Sequence, residues 1–162
     1  MSLRTTALFA ALALAGLAAC DVLEPTKKSA AITITVDPNP VVIRVACLAS
    51  TPPPEFCLAS LDPTITVAET GGVGGRLENI DLIVRNTATG VEEGRLALDS
   101  AWVRSQAGTD RIEAGGRIAF RPVVSGYRVR NGVVPSLVFT IAVRFLDDNG
   151  HTIEQSQQVG GA

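Results

Sequence analysis

The sequence predicts an all-β domain, an antiparallel sandwich of about seven or eight strands, with a small β-barrel as the alternative. From residue 31 onward, apolar residues alternate with polar ones in short stretches. Clusters of Gly, Pro, Asn and Asp, which are typical of turns, separate these stretches. No window longer than about ten residues shows the 3.6-residue period of an amphipathic helix. Alternating apolar faces are buried when two sheets pack face to face.

The composition limits the functions that the chain can have. It has 162 residues, with 14 Lys and Arg against 16 Asp and Glu, and a single His. The length suits one ordinary domain. The near balance of charge argues against a nucleic-acid-binding protein, which would carry a clustered basic excess. One imidazole cannot supply a site built from several, and no cofactor motif is present, so we expect no metal and no cofactor.

The first nineteen residues predict a helical export signal. Arg4 provides a positive start, and residues 7–19 form an unbroken run of apolar and small residues. The run ends in Leu17-Ala18-Ala19-Cys20, which resembles the lipobox of bacterial lipoproteins. The resemblance implies that Cys20 receives acyl chains and becomes the first residue after cleavage. An ordinary secretory signal is the alternative.

The lipobox resemblance implies a place in the cell and a domain organisation. Acyl chains on Cys20 would anchor the protein to the inner or outer membrane of a bacterial cell envelope. Residues 21–30 are polar, with one Pro and two Lys, and predict a tether. The organisation is therefore a signal peptide over 1–19, the lipidated Cys and tether over 20–30, and a β-sandwich over 31–162. The domain would face the periplasm or the cell surface.

The first half of the domain contains alternating stretches at 32–36, 41–45, 65–67 and 80–85. Asp-Pro-Asn-Pro at 37–40 separates the first two stretches with turn residues. The glycine-rich run at 71–75 resembles a phosphate cradle only in its glycines. Neither the Lys-Ser/Thr nor the helix that would complete a phosphate site follows it, so it predicts a flexible loop.

The second half predicts four further strands. The pattern over 95–103 predicts a strand with Trp102 on the same side as Leu96 and Leu98, and Glu92 and Glu93 before it predict an exposed turn. Strands follow at 117–121 and 137–146. Asp-Asp-Asn-Gly at 147–150 predicts a hairpin turn leading into a last strand at 151–159, with Ile153 facing inward.

Parts of this pattern resemble immunoglobulin-like modules of bacterial envelope proteins. The similar segments are the strand and Asn-Thr turn at 80–87, residues 112–120, and the hairpin at 139–157. The resemblance covers about residues 76–159 and implies an immunoglobulin-like sandwich. The Cys…Trp…Cys pattern of antibody domains is absent, because Trp102 follows both cysteines of the domain. A likeness of fold carries no activity with it.

Cys47 and Cys57 are the cysteines of the domain itself. Because an exported domain meets an oxidising compartment, we expect a disulfide between them. Free thiols and redox or metal use are the alternatives. The enclosed loop contains Pro52, Pro53 and Pro54, which stiffen it and make it a candidate partner-binding tip.

Two further groups are candidates for function. Tyr127, Arg128 and Arg130 predict a small basic and aromatic binding patch, with a solvated strand face as the alternative. A Ser-His-Asp triad would have to use His151 with a serine such as Ser125 or Ser136. No nucleophile-elbow motif surrounds any serine, so we expect His151 to be an exposed residue after the hairpin turn.

These observations favour a non-catalytic β-sandwich that acts in binding, adhesion or envelope structure. The expected partners are the membrane, reached through Cys20, and an envelope protein or glycan. A protease inhibitor or an accessory factor of envelope assembly is the second hypothesis. An enzyme of unknown reaction is the third.

Overall fold

The computed structural model describes residues 27–49, 55–130 and 133–162. Cys20 and Pro52, Pro53 and Pro54 lie outside the described residues. Eleven strands and one helix are present in the described part: β1 Ile32–Asp37, β2 Arg44–Ala46, β3 Phe56–Leu61, β4 Thr64–Glu69, β5 Gly75–Asn86, β6 Glu92–Asp99, α1 Ser100–Ala107, β7 Arg111–Ile112, β8 Arg117–Phe120, β9 Val124–Arg130, β10 Leu137–Asp147 and β11 Thr152–Gly160.

The larger sheet has the order β11-β10-β5-β6, and β7 pairs with β5 as well. Its centre is the pairing of the two longest strands, β5 and β10, which runs antiparallel from Leu137 opposite Asn86 to Asp147 opposite Gly75. Both strands alternate apolar and polar residues, so one face of the sheet is buried. The Asp147–Gly150 turn joins β10 to β11, which confirms the predicted hairpin.

The opposite layer is formed by two three-stranded sheets, β1-β4-β8 and β2-β3-β9. Leu61 lies opposite Val124 and Ile65 lies opposite Phe120, so β3–β4 and β8–β9 keep one register across the interruption. They therefore behave as one antiparallel ribbon, interrupted where Pro63 cannot donate a ladder hydrogen bond.

An ion-pair cluster lies at this interruption. The Asp62 carboxylate binds the guanidinium group of Arg121 at 3.1 Å and that of Arg44 as well. Arg44 belongs to β2, and Arg121 follows β8 directly. One carboxylate therefore links β2 to the segment between β8 and β9, at the point where the ribbon is interrupted.

The core lies between the two layers and is built mainly from Val, Ile and Leu, as the scarcity of aromatics requires. Its buried members come from both layers, for example Ile32, Ile65 and Phe120 on one side and Ile80 and Phe145 on the other. The sheets are antiparallel and do not close into a barrel in the described part of the chain. The predicted all-β sandwich is therefore confirmed.

One predicted strand is partly wrong. The strand over 95–103 ends at Asp99, and α1 follows it, so Trp102 lies on a helix. The Asp99 side chain accepts a hydrogen bond from the Trp102 N–H at 2.8 Å, and Gly108 ends the helix with a φ of 76°. Trp102 packs edge-on against Phe120, with ring centroids 5.9 Å apart. Capping residues thus override an apparent strand pattern.

Candidate functional site

An apolar cleft of about 460 Å³ opens between the two layers, with β6 along one edge and β9 along the other. Its walls are mostly aliphatic and come from the inner faces of both layers. The residues that form its floor and walls include Leu61, Ile65, Leu82, Val84, Leu96, Phe139 and Ile141. A volume of this size falls within the range of small-molecule sites, which are typically concave and mainly apolar.

The cleft is open because one of the inward-facing positions of β6, Gly94, has no side chain. Gly94 lies opposite Val84 on the inner face, and the next inward positions are Leu96 and Leu98. A Cβ added to Gly94 would meet no atom within 4 Å. The gap therefore follows directly from the choice of glycine at this one position of an edge strand. The interpretation of Glu92 and Glu93 as a turn is wrong, since β6 begins at Glu92.

The mouth of the cleft carries polar groups. Tyr127 lies beside the Glu93 carboxylate at the mouth, and burial together with this negative charge raises the pKa of Tyr127. Arg95 is held on the strand surface by Glu92, with Nε 3.1 Å from the carboxylate. Arg128 also borders the cleft. The mouth thus combines an internal tyrosine–glutamate pair with exposed cationic side chains.

The predicted patch of Tyr127, Arg128 and Arg130 is divided between two faces of β9. Tyr127 lies opposite Ala59 and is half-buried against the core, whereas the arginines are exposed. Arg130 binds Glu55 at 3.1 Å on the outside of the sheet. Successive residues of a strand point to opposite faces, which explains the division. Tyr127 and Arg128 both reach the cleft, and Arg130 does not line it.

Cys47 and Cys57 form a disulfide, as predicted, with their Cα atoms 4.4 Å apart. Cys57 is buried under the β2-β3-β9 sheet beside Ala59 and Val129. Phe56 and Leu58 alternate with these residues and are about half exposed on the outer face of β3, at 48% and 55%. The disulfide therefore fixes the start of a strand whose outer face is unusually apolar.

Replacing both cysteines, Cys47→Ala with Cys57→Ala, is expected to lower the free energy of unfolding by about 2–3 kcal/mol. The bridge closes a loop with a sequence separation of 10, and its loss restores entropy to the unfolded chain. Urea denaturation of the variant and of the wild type measures the difference. Two free thiols in the folded wild type, detected by mass spectrometry, would contradict the assignment.

Sequence reasoning missed a buried carboxylate at the other end of the sandwich. Glu69, at the end of β4, is 1% exposed. Its carboxylate accepts hydrogen bonds from the main-chain N–H groups of Ala31 at 3.2 Å, Gly71 at 2.6 Å, Gly72 at 2.9 Å and Gly115 at 2.8 Å. Burial opposes its charge, but these donors outweigh burial and lower its pKa to about 2.

The glycine-rich run, predicted to be a flexible loop, therefore binds an anion after all, and the anion is the protein's own Glu69. A Cβ on Gly71 would lie 2.5 Å from the Ala31 nitrogen, and Gly72 has a φ of 79°, so both positions require glycine. Gly75 already belongs to β5. The signal that could have revealed this cradle is a glutamate two residues before consecutive glycines.

A second carboxylate, Asp147, organises the hairpin turn next to this cradle. It is buried, and it accepts N–H groups from Ala30 at 3.1 Å, Asn149 at 3.0 Å and His151 at 2.7 Å. Burial opposes its ionisation, but these donors and the His151 ring lower its pKa to about 2. Asn149 also donates to the Lys28 carbonyl at 2.6 Å. The segment before β1 is therefore bound to this turn.

His151 is not arranged as the base of a catalytic triad. Its Nδ1 lies 3.0 Å from Asp147 Oδ2 and 3.4 Å from the Ser29 hydroxyl. A triad places the acid and the nucleophile on opposite ring nitrogens, whereas both partners here approach the same one. The ring instead belongs to the polar cluster that holds residues 29–30 against the turn.

The described residues contain neither a membrane-spanning helix nor a cluster of metal ligands. No helix in these residues is both long and apolar enough to cross a membrane. In the same part of the chain, no three His, Cys, Asp or Glu side chains are grouped closely enough to hold a metal ion.

Comparisons with known proteins reveal the fold alone. No protein-family model and no curated protein matches the chain. The X-ray structure of Northeast Structural Genomics Consortium target SoR45 is similar, with a TM-score of 0.52 and 14% identity over 79% of this chain and 85% of that one. A Bordetella pertussis protein whose crystal structure carries the name ApaA gives 0.51 and 12%, over 82% of this chain and 94% of that one. At these identities the similarity shows a shared sandwich architecture and no function.

Proposed function

We propose that this protein is a lipid-anchored component of a bacterial cell envelope whose β-sandwich is a non-catalytic binding module. The observation that carries the binding role is the apolar cleft between β6 and β9, which has the size and the lining of a ligand site. The lipobox-like Leu-Ala-Ala-Cys sequence supports the anchor, and the disulfide fits an oxidising compartment outside the cytoplasm.

The point where the chain enters the sandwich indicates which end of the anchored domain faces the membrane. The chain enters the sandwich at Lys28–Ala30, which are bound to the Asp147 turn at one end of β10. The cleft is lined by Leu137 and Ile141 near the other end of β10. At the rise of an antiparallel strand, Leu137 and Asp147 are roughly 33 Å apart. An anchor at Cys20 therefore holds the turn end towards the bilayer and the cleft away from it.

A protein-binding role in envelope assembly or protease inhibition is the second candidate, and one observation favours it. Leu48, Phe56 and Leu58 are exposed beside the disulfide, at the end of the domain that carries the cleft. Exposed apolar side chains that are grouped together are typical of partner-binding surfaces. This surface lies outside the sandwich, whereas the cleft lies within it, so the two candidates are separable by mutation.

Metabolic labelling with radioactive palmitate tests the anchor. The wild type is expected to incorporate label, to be shortened by cleavage before Cys20, and to partition into the detergent phase of Triton X-114. Cys20→Ser is expected to lose both the label and the cleavage. The matched control, Cys47→Ala with Cys57→Ala, removes the other two cysteines and is expected to keep the label. Label retained in Cys20→Ser would disprove the proposed anchor.

A further inference from the structure

Core side chains of both layers line the cleft. Leu82 and Val84 on β5 and Phe139 on β10 line it, although alternation places all three on the inner face of the larger sheet. Apolar groups that face a space of this size lose the packing contacts that a filled core provides. An aliphatic ligand that enters the cleft restores those contacts, so the site has the chemistry to bind such a ligand.

The edges beside the cleft are poorly suited to the other common occupant, a β-strand from a partner. β6 carries Glu92 and Arg95 on its outer face and Glu93 at the mouth of the cleft, and charged side chains protect an edge from strand addition. β9 contains a register shift opposite Ala59 and Ser60, beside Gly126 with a φ of 82°. A bulge of this kind twists an edge and interrupts its hydrogen-bonding row. A small molecule fits these edges better than a strand.

The mouth indicates which end of a ligand stays outside. Glu93 occupies the β6 side, where its charge repels a second carboxylate, and Arg95 is already bound to Glu92. On the β9 side, Arg128 is exposed and no ion pair to it is formed within residues 27–49, 55–130 and 133–162. A guanidinium group is a strong partner for a carboxylate. The mouth therefore favours an anionic head beside Arg128.

We infer that the cleft between β6 and β9 binds a single-chain amphiphile, with its aliphatic chain between the sheets and a carboxylate head beside Arg128. This inference deepens the proposed binding function, on which it rests. Because the anchored domain holds the cleft away from the bilayer, the ligand reaches it from the aqueous phase. Medium-chain carboxylates are soluble enough to do so, and decanoate is the probe of choice.

The only tyrosine in the chain provides a reporter at the site, since Tyr127 lies at the mouth. The full mature protein, labelled with 3-fluorotyrosine and held in phosphatidylcholine nanodiscs, gives one ¹⁹F resonance for the protein. Titration with decanoate is expected to shift this resonance saturably. Octanoate is expected to bind about fifteenfold more weakly, because each buried methylene contributes about fourfold. Protein-free nanodiscs provide the correction for ligand taken up by the bilayer.

Two variants separate the chain site from the head site. Gly94→Leu places a side chain at the cleft, and because a Cβ at this position would meet no atom within 4 Å, the variant is expected to fold and to abolish the shift. Arg128→Gln is expected to weaken decanoate at least tenfold and to leave decanol unchanged. The thermal midpoint of each variant verifies its fold. A strand of a partner protein added to β6 would co-purify as a polypeptide and would protect the β6 amide protons from hydrogen exchange. This result would contradict the inference.

The remaining outcomes are also decisive. A decanoate shift that persists in a folded Gly94→Leu variant, or the absence of a saturable shift in the wild type, overturns the inference. Equal affinity for decanoate and decanol in the wild type overturns the assignment of the head to Arg128. The palmitate experiment on Cys20 is independent of the cleft, so a failure of the anchor and a failure of the ligand site remain distinguishable.

Discussion

Glu69→Gln is expected to lower the free energy of unfolding by about 3 kcal/mol at neutral pH. The ionised carboxylate accepts N–H groups from four residues, and each of its oxygens takes two: Ala31, Gly71, Gly72 and Gly115. A glutamine has the same shape, but its NH₂ group would face two of these N–H donors. Hydrogen bonds to a charged group are worth more than neutral ones, and buried donors without an acceptor are costly.

The measurement is urea denaturation of the wild type and of the variant, with Glu154→Gln as the matched control. Glu154 is exposed on β11, so its replacement is expected to change stability by less than about 0.5 kcal/mol. Equal midpoints for Glu69→Gln and Glu154→Gln would show that the cradle contributes nothing. The expected loss is large because Glu69 joins three parts of the chain, namely the start of β1, the glycine-rich run and the turn at Gly115.

The fold class was predictable because the longest strands carry a complete signal. β10 alternates buried and exposed residues, and the Asp-Asp-Asn-Gly turn after it fixes the hairpin. Local chemistry is enough for such an element. The helix α1 was missed because its eight residues bury one side chain fully, Val103, and show little periodicity. Its signal lies in the caps at Asp99 and Gly108, which a search for apolar periods does not detect.

The candidate site was harder to predict, because it depends on contacts between distant segments. Tyr127 was predicted as part of a partner-binding patch, and its place at the mouth of the cleft depends on Glu93, which lies on the other layer of the sandwich. Gly94 has no chemistry of its own, and it opens the cleft only because β6 is an edge strand opposite β9. The donors to Glu69 come from positions up to 46 residues away. Only the assembled sandwich brings them together.

Acid is expected to destabilise the protein steeply, chiefly between about pH 4.5 and pH 2, because folding lowers the pKa of two of its buried carboxylates. Folding lowers the pKa of Glu69 from 4.5 to about 2 and that of Asp147 from 3.8 to about 2. A group whose pKa is depressed in the folded state stabilises it above the unfolded pKa, and this contribution is lost as the pH falls through the folded value. Between these values the unfolded chain binds the protons that the folded chain excludes.

The slope of stability against pH measures these protons directly. Near pH 3, two excluded protons correspond to roughly 2.7 kcal/mol per pH unit, and one corresponds to about half of that. Urea denaturation at pH 5, 4 and 3 gives the slope of the free energy of unfolding against pH. Glu69→Gln and Asp147→Asn are each expected to lower this slope by the contribution of one proton. Moderate salt screens exposed carboxylates such as Asp148, whose pKa is lowered by its contact with Arg111. An unchanged slope in both variants would mean that other groups carry the acid sensitivity. A halved slope in each of the two variants would show that the acid sensitivity arises at the end of the sandwich where the chain enters.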